Sequence, residues 1–172
     1  MADIEIRKLR HGEEAIYRAF RIHALSRYAI NFTSTAAEAE ALPIAAYADR
    51  IGQPNDQRHF IIGAFDGDRL IGTACLSGEP RHSERHKAYL FGMAVHADFT
   101  GRGIGGGLVR HLIATARRIP GLKQINLSMT TGNEPAERLY RACGFEIYGT
   151  EPRATFVDGA YHDKLMMQLR ID

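Results

Sequence analysis

A chain of 172 residues with 45% hydrophobic and 24% charged residues is long enough to bury one sizeable core and fits a single domain over residues 1–172. No run approaches the roughly 18 apolar residues of a membrane span, which argues against a membrane partner. A net charge of +2, without a long basic run or aromatic–basic interleaving, gives nucleic acid no footprint.

The first residues, Met1 to Lys8, mix charges with apolar side chains from the start, unlike a secretory leader, so the cytoplasm is the expected compartment. Ile4 to Leu9 alternate apolar and charged residues and read as a strand. From about Glu13 to Ile30, the residues Ile16, Phe20, Leu25 and Tyr28 recur near helical spacing. A second helical stretch runs from about Thr35 to Ile51, and Pro43 predicts a kink or break near residue 42. His59 to Phe65 and Leu70 to Leu76 flank Asp66-Gly67, where glycine's tolerance of positive φ predicts a tight hairpin turn. Cys75 and Cys143 are too few and too far apart for a disulfide scaffold and read as small buried residues.

Glu79 to Lys87 is polar and reads as a loop. Ala88 to Val95 is apolar throughout, which predicts a strand buried on both faces. Ile104, Leu108, Leu112 and Ile113 then mark a helix face that ends before Pro120. Ile125, Leu127 and Met129 alternate with polar neighbours as a half-buried strand. Asn133 caps the next helix, Glu134 and Pro135 suit its first turn, and Gly144 can close it. Two last strands, around 145–157 and 161–169, turn at Asp158-Gly159. The order β-α-α-β-β-β-α-β-α-β-β predicts an α/β fold with a mixed sheet rather than a regular βαβ array.

The segment Gly101-Arg102-Gly103-Ile104-Gly105-Gly106-Gly107 stands where a strand ends and a helix begins. Each glycine in a helical turn costs about 1 kcal/mol relative to alanine, so the cluster needs a reason. Bare backbone N–H groups at a helix start, with the dipole behind them, make a site for phosphate or pyrophosphate. The nucleoside-triphosphate loop requires Lys then Ser or Thr after its last glycine, but Leu108-Val109 follows here. Gly101, Gly103 and Gly106 satisfy G-x-G-x-x-G. Between Leu108 and Asn133, however, no Asp or Glu is present to hold a dinucleotide's ribose.

At this segment the sequence resembles the GNAT superfamily of N-acetyltransferases, whose coenzyme motif runs [Gln/Arg]-x-x-Gly-x-[Gly/Ala] after a strand. Thr100 departs from the usual Arg or Gln at the first position, and Arg102 adds charge nearby. Asn133-Glu-Pro-Ala136-Glu-Arg-Leu139-Tyr140-Arg-Ala-Cys-Gly144-Phe145 matches the family's N-x-x-A-x-x-L-Y-x-x-x-G-F segment, and the resemblance covers about residues 88–170. It implies that the chain is an acetyltransferase using acetyl-coenzyme A as co-substrate, with no metal. The acceptor would be the primary amine of a small molecule or amino acid. A peptide N-terminus or lysine is the alternative, and a non-catalytic acyl-coenzyme A sensing module is the reading from another class. The resemblance leaves a homodimer open.

The resemblance also implies roles. Met93, Ala94 and Val95 meet the acetyl carbonyl and pantetheine arm, with a backbone N–H near Val95 stabilising the oxyanion. Arg102, Gly103, Ile104, Gly105, Gly106 and Gly107 give N–H groups to the pyrophosphate. Asn133 contacts the coenzyme arm, and Tyr140 protonates the leaving thiolate as the catalytic acid. The strand before the glycines has no carboxylate, so Glu79, His82 and His86 in the preceding loop are the candidates for a general base, which an acceptor arriving neutral would not need. His82 and His86 are four apart, but Ser83 follows and no third ligand is evident, which excludes the zinc-helix pattern.

Overall fold

The computed structural model describes residues 4–53 and 55–172. Met1 to Asp3, part of the segment compared above with a secretory leader, lie outside the described residues. In chain order the elements are β1 (Ile4–Lys8), α1 (Glu14–Arg27), α2 (Ala36–Ala41), α3 (Ile44–Ile51), β2 (His59–Asp66), β3 (Arg69–Gly78), β4 (Lys87–Val95), α4 (Ile104–Ala116), β5 (Gln124–Thr130), α5 (Glu134–Ala142), β6 (Glu146–Val157) and β7 (Ala160–Arg170). The helical stretch over 35–51 divides at Leu42-Pro43, so the order gains one helix over the sequence expectation. Thr35 starts α2 with a capping box: its side chain accepts from the Glu38 N–H, while Glu38 accepts from the Thr35 N–H.

The seven strands form one sheet in the order β1-β2-β3-β4-β5-β7-β6. Every neighbouring pair is antiparallel except β4 and β5. Apolar side chains fill both faces. Leu108, Leu112 and Ile113 of α4 and Tyr140 of α5 pack with Ile62, Leu90, Ile125 and Leu127 on one side. Tyr17 and Phe20 of α1 and Tyr47 of α3 pack with Ile61 and Phe65 on the other. Among the described residues, no helix is long and apolar enough to cross a membrane.

Two turns illustrate the local chemistry. The β2–β3 turn falls on Gly67-Asp68, one residue later than the sequence indicated, because Asp66 pairs with Arg69 and Gly67 takes the positive φ of 59° at the first turn position. The β6–β7 turn lies at Asp158-Gly159 as read, with both residues at positive φ (51° and 77°), the pattern of a type I′ hairpin.

β4 departs from expectation in an informative way. Its residues are not buried on both faces: Ala88, Leu90 and Ala94 are buried, but Phe91 is exposed and Tyr89, Met93 and Val95 are half-buried. A bulge is the cause. Thr73 opposes Ala94 and Cys75 opposes Phe91, so β4 carries an extra residue there, and Gly92 sits at φ +59°. After the bulge, the side chains exchange faces, so Leu90 and Met93 both pack towards α4 while Ala94 joins α1. β4 also leaves β5 early: only Lys87, Ala88 and Tyr89 pair with it. The strands then part, and the apolar character of β4 belongs to the wall of the gap.

Candidate active site

The gap between β4 and β5 opens into a pocket of about 740 Å³, within the range that holds small ligands. β4 gives one wall, through Tyr89 to Val95, and β5 gives Ser128, Met129 and Thr130. One end is formed by the starts of α4 and α5, the other by α1, the α1–α2 connection and β7.

At the α4 end the backbone supplies the polar groups. Gly103 is the N-cap at φ +76°, a left-handed conformation open to glycine. The first intrahelical bond runs from the Gly107 N–H to the Gly103 carbonyl (3.0 Å). The N–H groups of Ile104, Gly105 and Gly106 come before it, so the helix leaves them unbonded. Gly103, Ile104, Gly105 and Gly106 all line the pocket. Gly105 also permits close packing: a β carbon there would stand 2.8 Å from both Leu139 Cδ1 and Met93 Cε.

Two glycine-segment residues fall elsewhere. Gly107 has its N–H in the helix, and a β carbon on it would meet Ile6 Cδ1 of β1 at 2.7 Å, so it serves helix–sheet packing. Arg102 is exposed and absent from the pocket wall; its guanidinium donates to the Asp98 carbonyl (3.0 Å) and lies 5.0 Å from the centre of the Phe99 ring. Thr100 lines the pocket mouth, but its hydroxyl donates to the Ala97 carbonyl (2.9 Å).

Asn133 caps α5 through its side-chain oxygen, which accepts from the Ala136 N–H (3.3 Å), and it lines the pocket beside Pro135 and Ala136. Tyr140 is 7% exposed and reaches the same pocket. A Schellman closure holds it: the Phe145 N–H bonds the Tyr140 carbonyl (3.0 Å) and the Gly144 N–H bonds the Arg141 carbonyl (2.9 Å). The Phe145 ring packs edge-on to Tyr140 at 5.8 Å. Burial, with a smaller contribution from Cys143, raises the phenol's pKa above its ordinary value, so the hydroxyl keeps its proton.

Met93, Ala94 and Val95 line the pocket beyond the bulge. The Val95 carbonyl accepts a long bond from the Tyr28 hydroxyl (3.4 Å). Glu79, His82 and His86 are not brought here: they precede or begin β4 at its far end, and the two histidines are exposed. No Asp, Glu or His stands among the pocket's described lining residues.

The charged groups of the pocket are Arg21 and Lys164, neither of which was singled out from the sequence. Lys164 on β7 donates to Thr33 Oγ1 (2.6 Å), tying the last hairpin to the α1–α2 connection, and burial lowers its pKa. Arg21 had a signal in the sequence: it is a cation on the buried stripe of α1, beside Tyr17, Phe20, Ala24 and Leu25.

Comparison with known proteins bears on this arrangement. A family profile described as Acetyltransferase (GNAT) family matches residues 20–145. The chain is 28% identical over 160 residues to the L-amino acid N-acetyltransferase AaaT of Escherichia coli, covering 92% of this chain and 94% of that one. It is 34% identical over 119 residues to the N-alpha-acetyltransferase RimI of Mycobacterium tuberculosis, covering 69% and 70%. The solved structure of yncA from Salmonella typhimurium, which holds its cofactor acetyl-CoA, superposes with a TM-score of 0.81 at 21% identity, covering 99% of this chain and 95% of that one.

Proposed function

The chain belongs to the acetyltransferase (GNAT) family, and from that premise we propose that it acetylates the primary amine of a small molecule or amino acid. The observation that carries this reading is the sharing of one pocket. Unbonded N–H groups at the start of α4, the buried Tyr140 phenol, and an acceptor end with two cations and no acid all face the same 740 Å³. The donor set fits a coenzyme with a pyrophosphate: three free N–H groups at a positive helix end, with no side chain intervening at Gly105 or Gly106.

In this reading, Ile104, Gly105 and Gly106 bind the pyrophosphate through N–H groups, and Gly103 lets the chain enter the helix there. Gly107 and Arg102 are left out of that role. Met93, Ala94 and Val95 orient the acyl end along β4, where a backbone N–H would meet the oxyanion, an effect worth about 3–4 kcal/mol in other acyl-transfer sites. The Asn133 side-chain oxygen is held by its cap, leaving its amide nitrogen for the coenzyme arm. When bound, acetyl-coenzyme A supplies an acyl carbon open to direct attack by a neutral amine within a ternary complex. Tyr140 hands its proton to the departing sulfur and recovers one from the proton the amine loses. Without an acidic or imidazole side chain in the pocket, the amine arrives neutral or loses its proton to water.

The E. coli relative's name, an L-amino acid N-acetyltransferase, supports a small acceptor, whereas the mycobacterial relative's name points to protein N-termini. The Lys164–Thr33 bond links the last hairpin to the α1–α2 connection at this end of the pocket, an enclosure that favours the small acceptor. A panel of amino acids, simple amines and short peptides, scored by thiol release from acetyl-coenzyme A, tests this. Amino acids or small amines should turn over fastest. Faster turnover of peptides would replace the reading with protein acetylation, and coenzyme binding without any release would replace it with a sensing module.

A further inference from the structure

Among the described residues, Arg21 is the one charged side chain with a buried nitrogen that lacks a hydrogen-bond partner. It is only 9% exposed, yet it lines the pocket. A β carbon built on Gly92, the bulge residue of β4, would stand 3.6 Å from Arg21 Nη1, so the arginine reaches the strand whose far half forms the acyl wall. Of its five donors, Nη2 makes one long contact, 3.4 Å to Ser34 Oγ, and Nε is buried without a partner. Among the described residues, no carboxylate stands within ion-pair distance. Arginine cannot shed its charge, and burying an unpaired one is costly, so the arrangement is incomplete as it stands.

We propose that Arg21 is the anchor for a carboxylate on the acceptor, which makes a free α-amino acid, rather than an uncharged amine, the preferred substrate class. The guanidinium fork can donate to two carboxylate oxygens side by side. Lys164, tethered by Thr33 in the same pocket, adds positive charge, and the absence of acids among the lining residues leaves nothing to compete for it. Ser34 steadies one arm of the fork, and the other lies beside the β4 bulge at Gly92. A purely structural arginine tying α1 to the Ser34 connection would not leave Nε bare, nor face a pocket. The inference rests on the small-acceptor reading above and deepens it.

The test compares L-leucine, L-leucinamide and isopentylamine, which keep the amine and side chain while removing the carboxylate charge and then the whole group. Acetyl transfer is measured for each, and calorimetry follows their binding to the enzyme loaded with coenzyme A. Leucine should be preferred over the amide and the amine by about 30-fold or more, since a site built for a polar group rejects the analogue that leaves it unpaired. Arg21→Met should raise the leucine KM and its calorimetric Kd by about 100-fold while leaving both constants for leucinamide within about threefold, and Arg21→Lys should restore part of the preference.

Equal use of leucine and leucinamide by the unaltered enzyme would overturn the proposal while leaving small-amine acetylation intact. Proportional losses for both substrates in Arg21→Met would also overturn it, by making the residue structural. Thiol release with peptides and with none of the small amines would remove the small-acceptor reading itself, and this inference with it. Should Arg21→Met fail to fold, the comparison in the unaltered enzyme decides alone.

Discussion

At the α4 end the pocket offers backbone, and at the α1 end it offers side chains. Ile104, Gly105 and Gly106 present N–H groups whose positions follow from where a helix begins. Arg21 on α1 and Ser34 on the α1–α2 connection are near in sequence, but Lys164 on β7 lies more than half the chain away and joins them only because the fold sets the last hairpin against that connection. Recognition by backbone depends on what is missing from the side chains, whereas recognition by side chains depends on what is present. The first kind leaves a contiguous pattern in the sequence; the second leaves scattered residues.

The largest effect should come from filling the backbone end. Gly105→Val puts a branched side chain where a single β carbon already stands 2.8 Å from Leu139 and Met93. The coenzyme A Kd should rise at least about 100-fold and the melting temperature should fall, since overpacking costs about 1–3 kcal/mol in addition to blocking the approach. A calorimetric Kd unchanged in the folded variant would mean that the pyrophosphate sits elsewhere.

Tyr140→Phe comes next and separates chemistry from binding. The maximal rate should drop at least about tenfold, with the coenzyme Kd nearly unchanged. The pH profile sharpens the point. An acid works only while protonated, and burial moves the Tyr140 phenol above its ordinary pKa of about 10, so loss of the acid is pushed to still higher pH. kcat/KM should climb with pH as the acceptor amine deprotonates, with no falling limb below about pH 10. A falling limb nearer neutrality that disappears in Tyr140→Phe would contradict the burial that the structure shows.

The smallest effect is expected at Thr100. Its hydroxyl is already bonded to the Ala97 carbonyl, so Thr100→Ala should change the coenzyme Kd by no more than about twofold. If Thr100→Ala proved more damaging than Gly105→Val, the contrast between a backbone end and a side-chain end would collapse.

The same contrast explains what could be read before folding. Strand and helix periodicities, the break at Pro43, the Asn133 cap and the Gly144 closure are local, and each left its mark within a few residues. The Asp66 turn slipped by one residue because two adjacent positions both suit a turn and only pairing with β3 decides between them. The bulge at Gly92 was hidden, since an apolar run looks the same whether its second face meets a core or a pocket. Gly107 looked like a pyrophosphate donor because it continues the glycine run, yet one turn into a helix its N–H is already bonded. Glu79, His82 and His86 were near in sequence to the pocket wall on β4 but at the wrong end of the strand. Arg21 could have been found only by asking why a cation interrupts an apolar helical face.

The three-residue pairing of β4 with β5 has a mechanical meaning. The sheet's two parts, β1–β4 and β5–β7, share only that ladder; the core under α4 and α5 spans both, and beyond the ladder the strands themselves are parted by the pocket. A ligand seated in the gap therefore acts as a rivet between them, and the cohesion of the whole molecule becomes a function of ligand concentration. At a free ligand level about 100 times its Kd, that coupling adds about 2.7 kcal/mol to folding stability, a sizeable share of what a domain of this size possesses. A cell depleted of the ligand would thus hold a looser and more perishable protein as well as an idle one.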